Sequence, residues 1–194
     1  MYNVIKIKRE GNLKIGRVKI KCRSGAANPR RKGDNRKMIE IMLSIRPKWC
    51  ELIASGQKTI EVRKTKPKCN VPFKVYIYCT EDFRTSTKFR NHKFWIGEPI
   101  NDVSDGRYLG NGKVIGEFIC DKMIFAYIDD FDYHNYDISD DDLRETCLSQ
   151  SMLFDYAKGK PVYGWHISDL IIYDKPKDLS NFDVKRSPQS WCYT

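Results

Sequence analysis

Leu43-Ser44-Ile45-Arg46-Pro47-Lys48-Trp49-Cys50-Glu51-Leu52-Ile53-Ala54-Ser55-Gly56-Gln57-Lys58-Thr59-Ile60-Glu61-Val62-Arg63-Lys64 packs two strands and a helix into one short stretch. Ile41, Leu43 and Ile45 alternate with Met42, Ser44 and Arg46, the period of a strand. Pro47 suits the first turn of a helix. Trp49, Leu52 and Ile53 then recur at helical spacing, and Gly56 can take the left-handed conformation that ends a helix. A second strand is expected over Thr59–Lys64. Its alternation sends Ile60 and Val62 one way and Thr59, Glu61 and Arg63 the other, with Lys58 at the entrance. One face is therefore apolar, and the other carries a row of Lys, Thr, Glu and Arg able to bind a phosphate, a nucleobase edge or a small polar substrate. The same residues also describe an edge strand with a solvated charged face, and residue chemistry alone leaves both readings open.

Outward from this stretch, Lys66 to Pro72 is a two-proline loop. Lys74–Thr80 is a third strand, with Val75, Ile77 and Cys79 on one face and Tyr76 and Tyr78 on the other. Residues 81–112 form a polar connection of a length uncommon in compact domains unless functional or disordered. Gly110-Asn111-Gly112 is turn chemistry leading into strand character over Lys113–Phe125. Residues 129–145 hold eight acidic residues and Arg144. Their spacing fits no calcium loop, and they read as a solvated loop and helix start. Ser139 with Asp142 makes a capping box for a helix running to about Ser149. Ser151–Lys158 is a second short helix closed by Gly159 and Pro161, and Val162–Ile167 and Leu170–Tyr173 are strands. His166 reads as a packed rim residue. Helices inserted late among several strands point to an α+β domain built on a small mixed sheet or barrel; the lack of regular strand–helix alternation argues against a doubly wound sheet.

The chain has 194 residues and a formal charge of +10. That length predicts one domain, or one domain with an appendage. Residues 1–37 hold thirteen of the 35 Lys and Arg against two acidic residues, so the whole excess lies there. Two readings of this arm remain open. It is a cationic hairpin and linker that contacts nucleic acid or another anionic surface. Alternatively, Lys32-Gly33-Asp34 is a translated purine-rich ribosome-binding sequence, translation starts at Met38, and residues 1–37 are leader. The domain itself is expected over 38–194. The seven cysteines are scattered without a C-x-x-C pair, and no apolar run reaches membrane-spanning length. These features predict reduced thiols, a cytoplasmic location, no membrane partner, no metal and no cofactor.

The central stretch resembles the G-x-K-x-x-E-x-R motif of ASCH domains, a family named for activating-signal-cointegrator homology. Further similarity runs in order through Lys74–Thr80, Gly112–Phe118 and Tyr163–Leu170. The closing Ser187-Pro188-Gln189-Ser190-Trp191-Cys192-Tyr193 is similar to the ending of phage and Firmicute members. The resemblance covers nearly all of 38–194 and leaves 1–37 outside. It implies an α+β fold with a PUA-like β-barrel and short flanking helices. A cleft beside the barrel would serve RNA or a nucleotide-derived ligand, lined by Lys58, Glu61 and Arg63.

Two chemistries follow. For binding, Arg63 offers a planar fork to a phosphate or base edge, Lys58 and Lys64 offer point charges, and Glu61 accepts from an exocyclic amine. Tyr76, Tyr78, Trp165 and Trp191 are available to stack on a base or to pack; Tyr78 and Trp191 are carried forward as ligand-binding residues. For catalysis, relatives that hydrolyse N4-acetylcytidine use a Lys, a Thr three residues later and a distant Glu. Lys58 matches the Lys, Glu61 stands at the Thr position, and Glu117 is a candidate second carboxylate. That mismatch makes a binding module the first expectation. An amidohydrolase or a metal-independent ribonuclease using Lys58, Glu61 and Glu117 is the alternative.

Overall fold

The computed structural model describes residues 38–81, 92–97, 107–128 and 135–194. The basic arm 1–37 with its expected hairpin, the acidic residues of 129–134 and parts of the 81–112 connection lie outside the described residues.

β1 (Glu40–Ile45) leads through Arg46 into α1 (Pro47–Ala54), with Pro47 in the first turn as its fixed φ favours. α1 ends as the sequence predicts. Gly56 takes φ 74°, its N–H reaches the Ile53 carbonyl, and the Gln57 N–H reaches the Leu52 carbonyl, each at 2.9 Å. This pair of bonds is a Schellman cap, which turns the chain sharply into β2 (Ile60–Arg63). There follow β3 (Phe73–Cys79), a hairpin of β4 (Trp95–Ile96) with β5 (Tyr108–Leu109), β6 (Lys113–Cys120) and β7 (Met123–Ala126). Then come α2 (Asp140–Glu145), α3 (Gln150–Ala157), β8 (Val162–His166), β9 (Ser168–Lys177), a 3-10 turn at Leu179–Phe182 and β10 (Trp191–Tyr193).

The strands make a five-stranded sheet in the order β10-β1-β3-β6-β9, a three-stranded sheet β2-β8-β7 and the β4-β5 hairpin. β1 and β3 are parallel, so a crossover must join them; α1 and β2 supply it. The other pairings are antiparallel. The α+β class stands; among the described residues the strands form three sheets and no complete ring, so the PUA-like barrel is not confirmed. The cause is local. The Gly56 turn sends β2 to pair with β8 rather than with β1 or β3. The strand expected over Lys113–Phe125 also divides at Asp121-Lys122, and its two halves join different sheets. At Gly116 the β9 backbone comes so close that a Cβ would collide with the Ile171 carbonyl.

β1 and β3 are buried on both faces. Ile41, Leu43, Ile45, Val75, Ile77 and Cys79 join Ile53, Phe73 and Trp165 in the main core. Met42, Tyr76, Tyr78 and Val114 face the other way, under Tyr173, Leu179 and Phe182 of the C-terminal segment. A third cluster, with Val62, Val162, Leu153 and Ala157, seats α3 on the small sheet. The helix expected to reach Ser149 stops at Glu145: Thr146 caps it, and Cys147 adopts φ 56°. No helix among the described residues is long and apolar enough to cross a membrane.

Candidate functional site

The Schellman turn and the first residues of β2 place three charged side chains together. Lys58, Glu61 and Arg63 are 3%, 6% and 9% exposed, a degree of burial that charged residues reach only when paired. Glu61 lies between the two cations: its Oε2 is 3.4 Å from Lys58 Nζ and its Oε1 is 2.9 Å from an Arg63 terminal nitrogen. Lys58 Nζ also donates to the Thr146 carbonyl at 2.6 Å, and the Arg63 terminal nitrogen donates to the Ser44 carbonyl at 2.5 Å. The Thr59 N–H reaches the Glu145 carbonyl at 3.1 Å. The turn thus answers the open carbonyls at the end of α2, and α2 in turn fixes where Lys58 points.

The balance of the cluster is unequal. Two cations share one carboxylate, and Arg63 Nε is buried with no hydrogen-bond partner in the chain. The same is true of Trp165 Nε1. Trp165 is the register partner of Glu61, and Tyr163 that of Arg63, so these two unpartnered donors stand on neighbouring rungs of one sheet face. Buried donors are almost always satisfied, and an unsatisfied one marks a place for a water, an ion or a ligand atom.

Burial drives the Lys58 ammonium below its usual pKa, and nearby Arg63 adds to the fall; Glu61 and Cys147 oppose it without reversing it. At the rim, Lys58 Nζ lies 5.1 Å from the Trp49 ring centre, and Lys64 Nζ lies 5.0 Å from that of Tyr156. Burial raises the Tyr156 phenol, against the pull of Arg63, so it stays protonated as a donor. Cys50 is fully buried and its thiol is pushed well above the normal range by burial and by Cys79, which removes it as a nucleophile.

Of the residues predicted from sequence, Lys58, Glu61 and Arg63 come together, and Lys64 stands exposed at their edge. Glu117 does not join them. It lies beside Tyr76 in the register, on the other face of the five-stranded sheet, where Lys74 Nζ reaches its Oε1 at 3.0 Å and the Tyr173 hydroxyl donates to its Oε2 at 2.6 Å. The reason is strand parity: Glu117 shares a face with Tyr76, whereas the Lys58 cluster lies on the main-core side. Tyr78 is likewise turned away, packed with Met42, Tyr76 and Val114.

Trp191 is partly buried. It pairs with Leu43, donates from Nε1 to Thr65 Oγ1 at 2.9 Å and packs 6.0 Å from the Trp165 ring. Its segment touches the site indirectly: Ser44, whose carbonyl holds Arg63, donates its own hydroxyl to the Pro188 carbonyl at 2.6 Å and its N–H to the Ser190 carbonyl at 2.9 Å. Sequence reasoning missed Thr146, Ser44 and Tyr156 as partners of the cluster. Only Trp49, one helix turn and a cap away from Lys58, left a signal that could have been followed. Among the described residues no group of His, Cys, Asp or Glu is arranged to hold a metal ion.

Residues 43–117 match the family model of the ASCH domain. A comparison with curated proteins gives no match. The crystal structure of ASCH from Zymomonas mobilis superposes with a TM-score of 0.52 at 19% identity, over 80% of this chain and 87% of that one. Two further crystal structures, of a tyrosine-to-phenylalanine and a serine-to-alanine mutant of that protein, each superpose with a TM-score of 0.50 at 18% identity. They cover 80% of this chain and 89% and 87% of theirs, respectively. The segment that matches the ASCH family model spans the end of β1, α1, β2, β3, the β4–β5 pair and the start of β6.

Proposed function

We propose that the Lys58–Glu61–Arg63 cluster is the seat of a nucleotide unit, and that the protein is an RNA- or nucleotide-binding module of the cytoplasm. The observation that carries this reading is the Arg63 Nε, a buried cationic donor left without an acceptor in a cluster of two cations and one carboxylate. Such a site favours a ligand that brings acceptor oxygens or a ring nitrogen. A carboxylate has about four acceptor positions, and Glu61 spends one on each cation, so it retains capacity for an exocyclic amine such as that of cytosine. Trp49 and Tyr156 stand at the rim, where a base can stack. Titration calorimetry with cytidine 5′-monophosphate tests the reading. Arg63→Lys, which keeps charge but loses the fork, is expected to weaken binding about tenfold to a hundredfold. Equal heats for both proteins, or none for the wild type, would sink it.

A second reading rests on the lowered pKa of Lys58. An ammonium disfavoured by burial suits a general base, either toward water attacking an acylated base or toward a ribose hydroxyl in RNA cleavage. The Thr of the acetylcytidine-hydrolysing pattern is replaced by Glu61, and Glu117 stands on another face, so binding is the reading the geometry supports better. Product formed from N4-acetylcytidine or RNA by the wild type, and lost in Lys58→Met, would reverse that order.

A further inference from the structure

The small sheet carries a row of side chains that the nucleotide site leaves unused. Tyr163 is the register partner of Arg63 on one side and of Phe125 on the other. Directly opposed residues project to the same face, so one rung runs from guanidinium to phenol to phenyl. Exposure rises along it, from 9% at Arg63 to 54% at Phe125 on the edge strand. The Phe125 ring centre is 5.4 Å from that of Tyr163 and 5.9 Å from that of Tyr127, itself exposed. Single exposed apolar residues are ordinary, but three touching rings at a sheet edge mark a surface that meets something.

The neighbouring charge says what. Lys64-Thr65-Lys66-Pro67-Lys68 leaves β2 with three exposed lysines and no acidic residue. Lys66 Nζ stands 5.4 Å from the centre of the Tyr163 ring. Beside it is an open hollow of about 280 Å³ lined by Lys66, Pro67, Lys68, Cys69 and Asn70. Rings that present π-faces next to an exposed basic segment are what a single strand needs: stacking for the bases, cations for the phosphates. A protein partner would also cover the rings. The lysines at every second position and the shared rung with Arg63 favour a nucleic acid.

We infer that Phe125, Tyr127 and Tyr163, with Lys66 and Lys68, form the path of a single-stranded nucleic acid running outward from the nucleotide at Arg63. The inference rests on the nucleotide reading of that site and extends it from one unit to several.

The test compares the full-length protein with Phe125→Ala and Lys66→Ala, using a labelled single-stranded RNA octamer by fluorescence anisotropy and cytidine 5′-monophosphate by calorimetry. Phe125→Ala is expected to weaken octamer binding about 5- to 100-fold while leaving mononucleotide binding unchanged. Lys66→Ala should reduce the slope of log K against log salt by about 0.7, one single-strand phosphate contact. Should Phe125→Ala lose its fold, Lys66→Ala decides. Octamer binding equal to wild type and with unchanged slope, alongside mononucleotide binding that still falls in Arg63→Lys, overturns the path and leaves the site standing. A wild type that binds the octamer no more tightly than the mononucleotide overturns the path too and returns the rings to a protein partner. Binding of neither ligand overturns path and site together.

Discussion

Two polar clusters in this molecule are built from the same parts and behave oppositely. In each, a strand glutamate meets a lysine and one further donor: Lys58 and Arg63 around Glu61, Lys74 and Tyr173 around Glu117. In the Glu117 cluster the charges balance and both carboxylate oxygens are used. The outcome is mutual stabilisation. Although burial works against both charged forms, the pairing holds Lys74 above its usual pKa and Glu117 below its own. In the Glu61 cluster the charges do not balance, a donor is left over, and burial prevails, so Lys58 falls. A satisfied cluster fastens the C-terminal segment to the sheet; an unsatisfied one leaves a buried donor unpaired at a cost in free energy.

Neutralising each glutamate breaks the comparison most directly. Glu61→Ala leaves Lys58 and Arg63 buried together without a counter-charge. It is expected to cost about 3 kcal/mol or more of folding stability, read from the urea midpoint at constant m-value. Glu117→Ala leaves its lysine able to turn to water and should cost about 1 kcal/mol. Equal losses at the two sites would mean that burial does not separate them.

The two lysines also sharpen the comparison through pH. The folded-state pKa of Lys58 is below that of the unfolded chain. Between the two values the unfolded chain binds more protons, so stability rises with pH across that window and is fully gained above the ordinary lysine value. The stability difference between wild type and Lys58→Met should therefore move in favour of the wild type as pH approaches the usual lysine range, by up to about 1.4 kcal/mol per pH unit inside the window. For Lys74 the folded value is the higher one. Its contribution is complete below the ordinary lysine value and declines as pH rises through the folded one, so the wild type's advantage over Lys74→Met should stay flat and then shrink. Denaturation series of the three proteins at several alkaline pH values check both slopes; slopes of the same sign would contradict the assignment.

How far the sequence foretold these clusters depends on the range of the contacts. Period-two alternation put Glu61 and Arg63 on one face and Ile60 and Val62 on the other, and Gly56 marked the turn that brings Lys58 alongside. Those relations span a few residues and follow from backbone geometry. The partners that complete the site arrive from afar: Thr146 from the end of α2, 88 residues on, and the Ser44 carbonyl from the preceding strand. Backbone carbonyls leave no mark in composition or spacing. Parity also showed that Tyr76 and Tyr78 share a face, but not which face looks toward Lys58, and Glu117 and Tyr78 were therefore assigned to the wrong side of the sheet. The barrel expectation rested on the family resemblance, whereas the division of the strands among three sheets depends on pairing between distant segments.

The smallest expected effect tests how the unsatisfied cluster is aimed. Lys74 sits inside a strand whose pairing fixes its direction, whereas Lys58 follows a helix cap and depends on Gly56 at φ 74°. A Cβ at that angle is strained, and Gly56→Ala should cost about 1 kcal/mol by thermal or urea unfolding. The cap bonds from Gly56 and Gln57 to the last turn of α1 would loosen with it, and the Lys58 N–H, now 3.0 Å from the Leu52 carbonyl, would shift. Nucleotide affinity should then fall severalfold with no change to any charged group, whereas a helix-favouring Ala at Ser55, where the backbone is right-handed, should leave it unaltered. Loss of stability without loss of affinity in Gly56→Ala would show that Glu61 and the Thr146 carbonyl hold the ammonium in place by themselves, and that the turn only delivers it there.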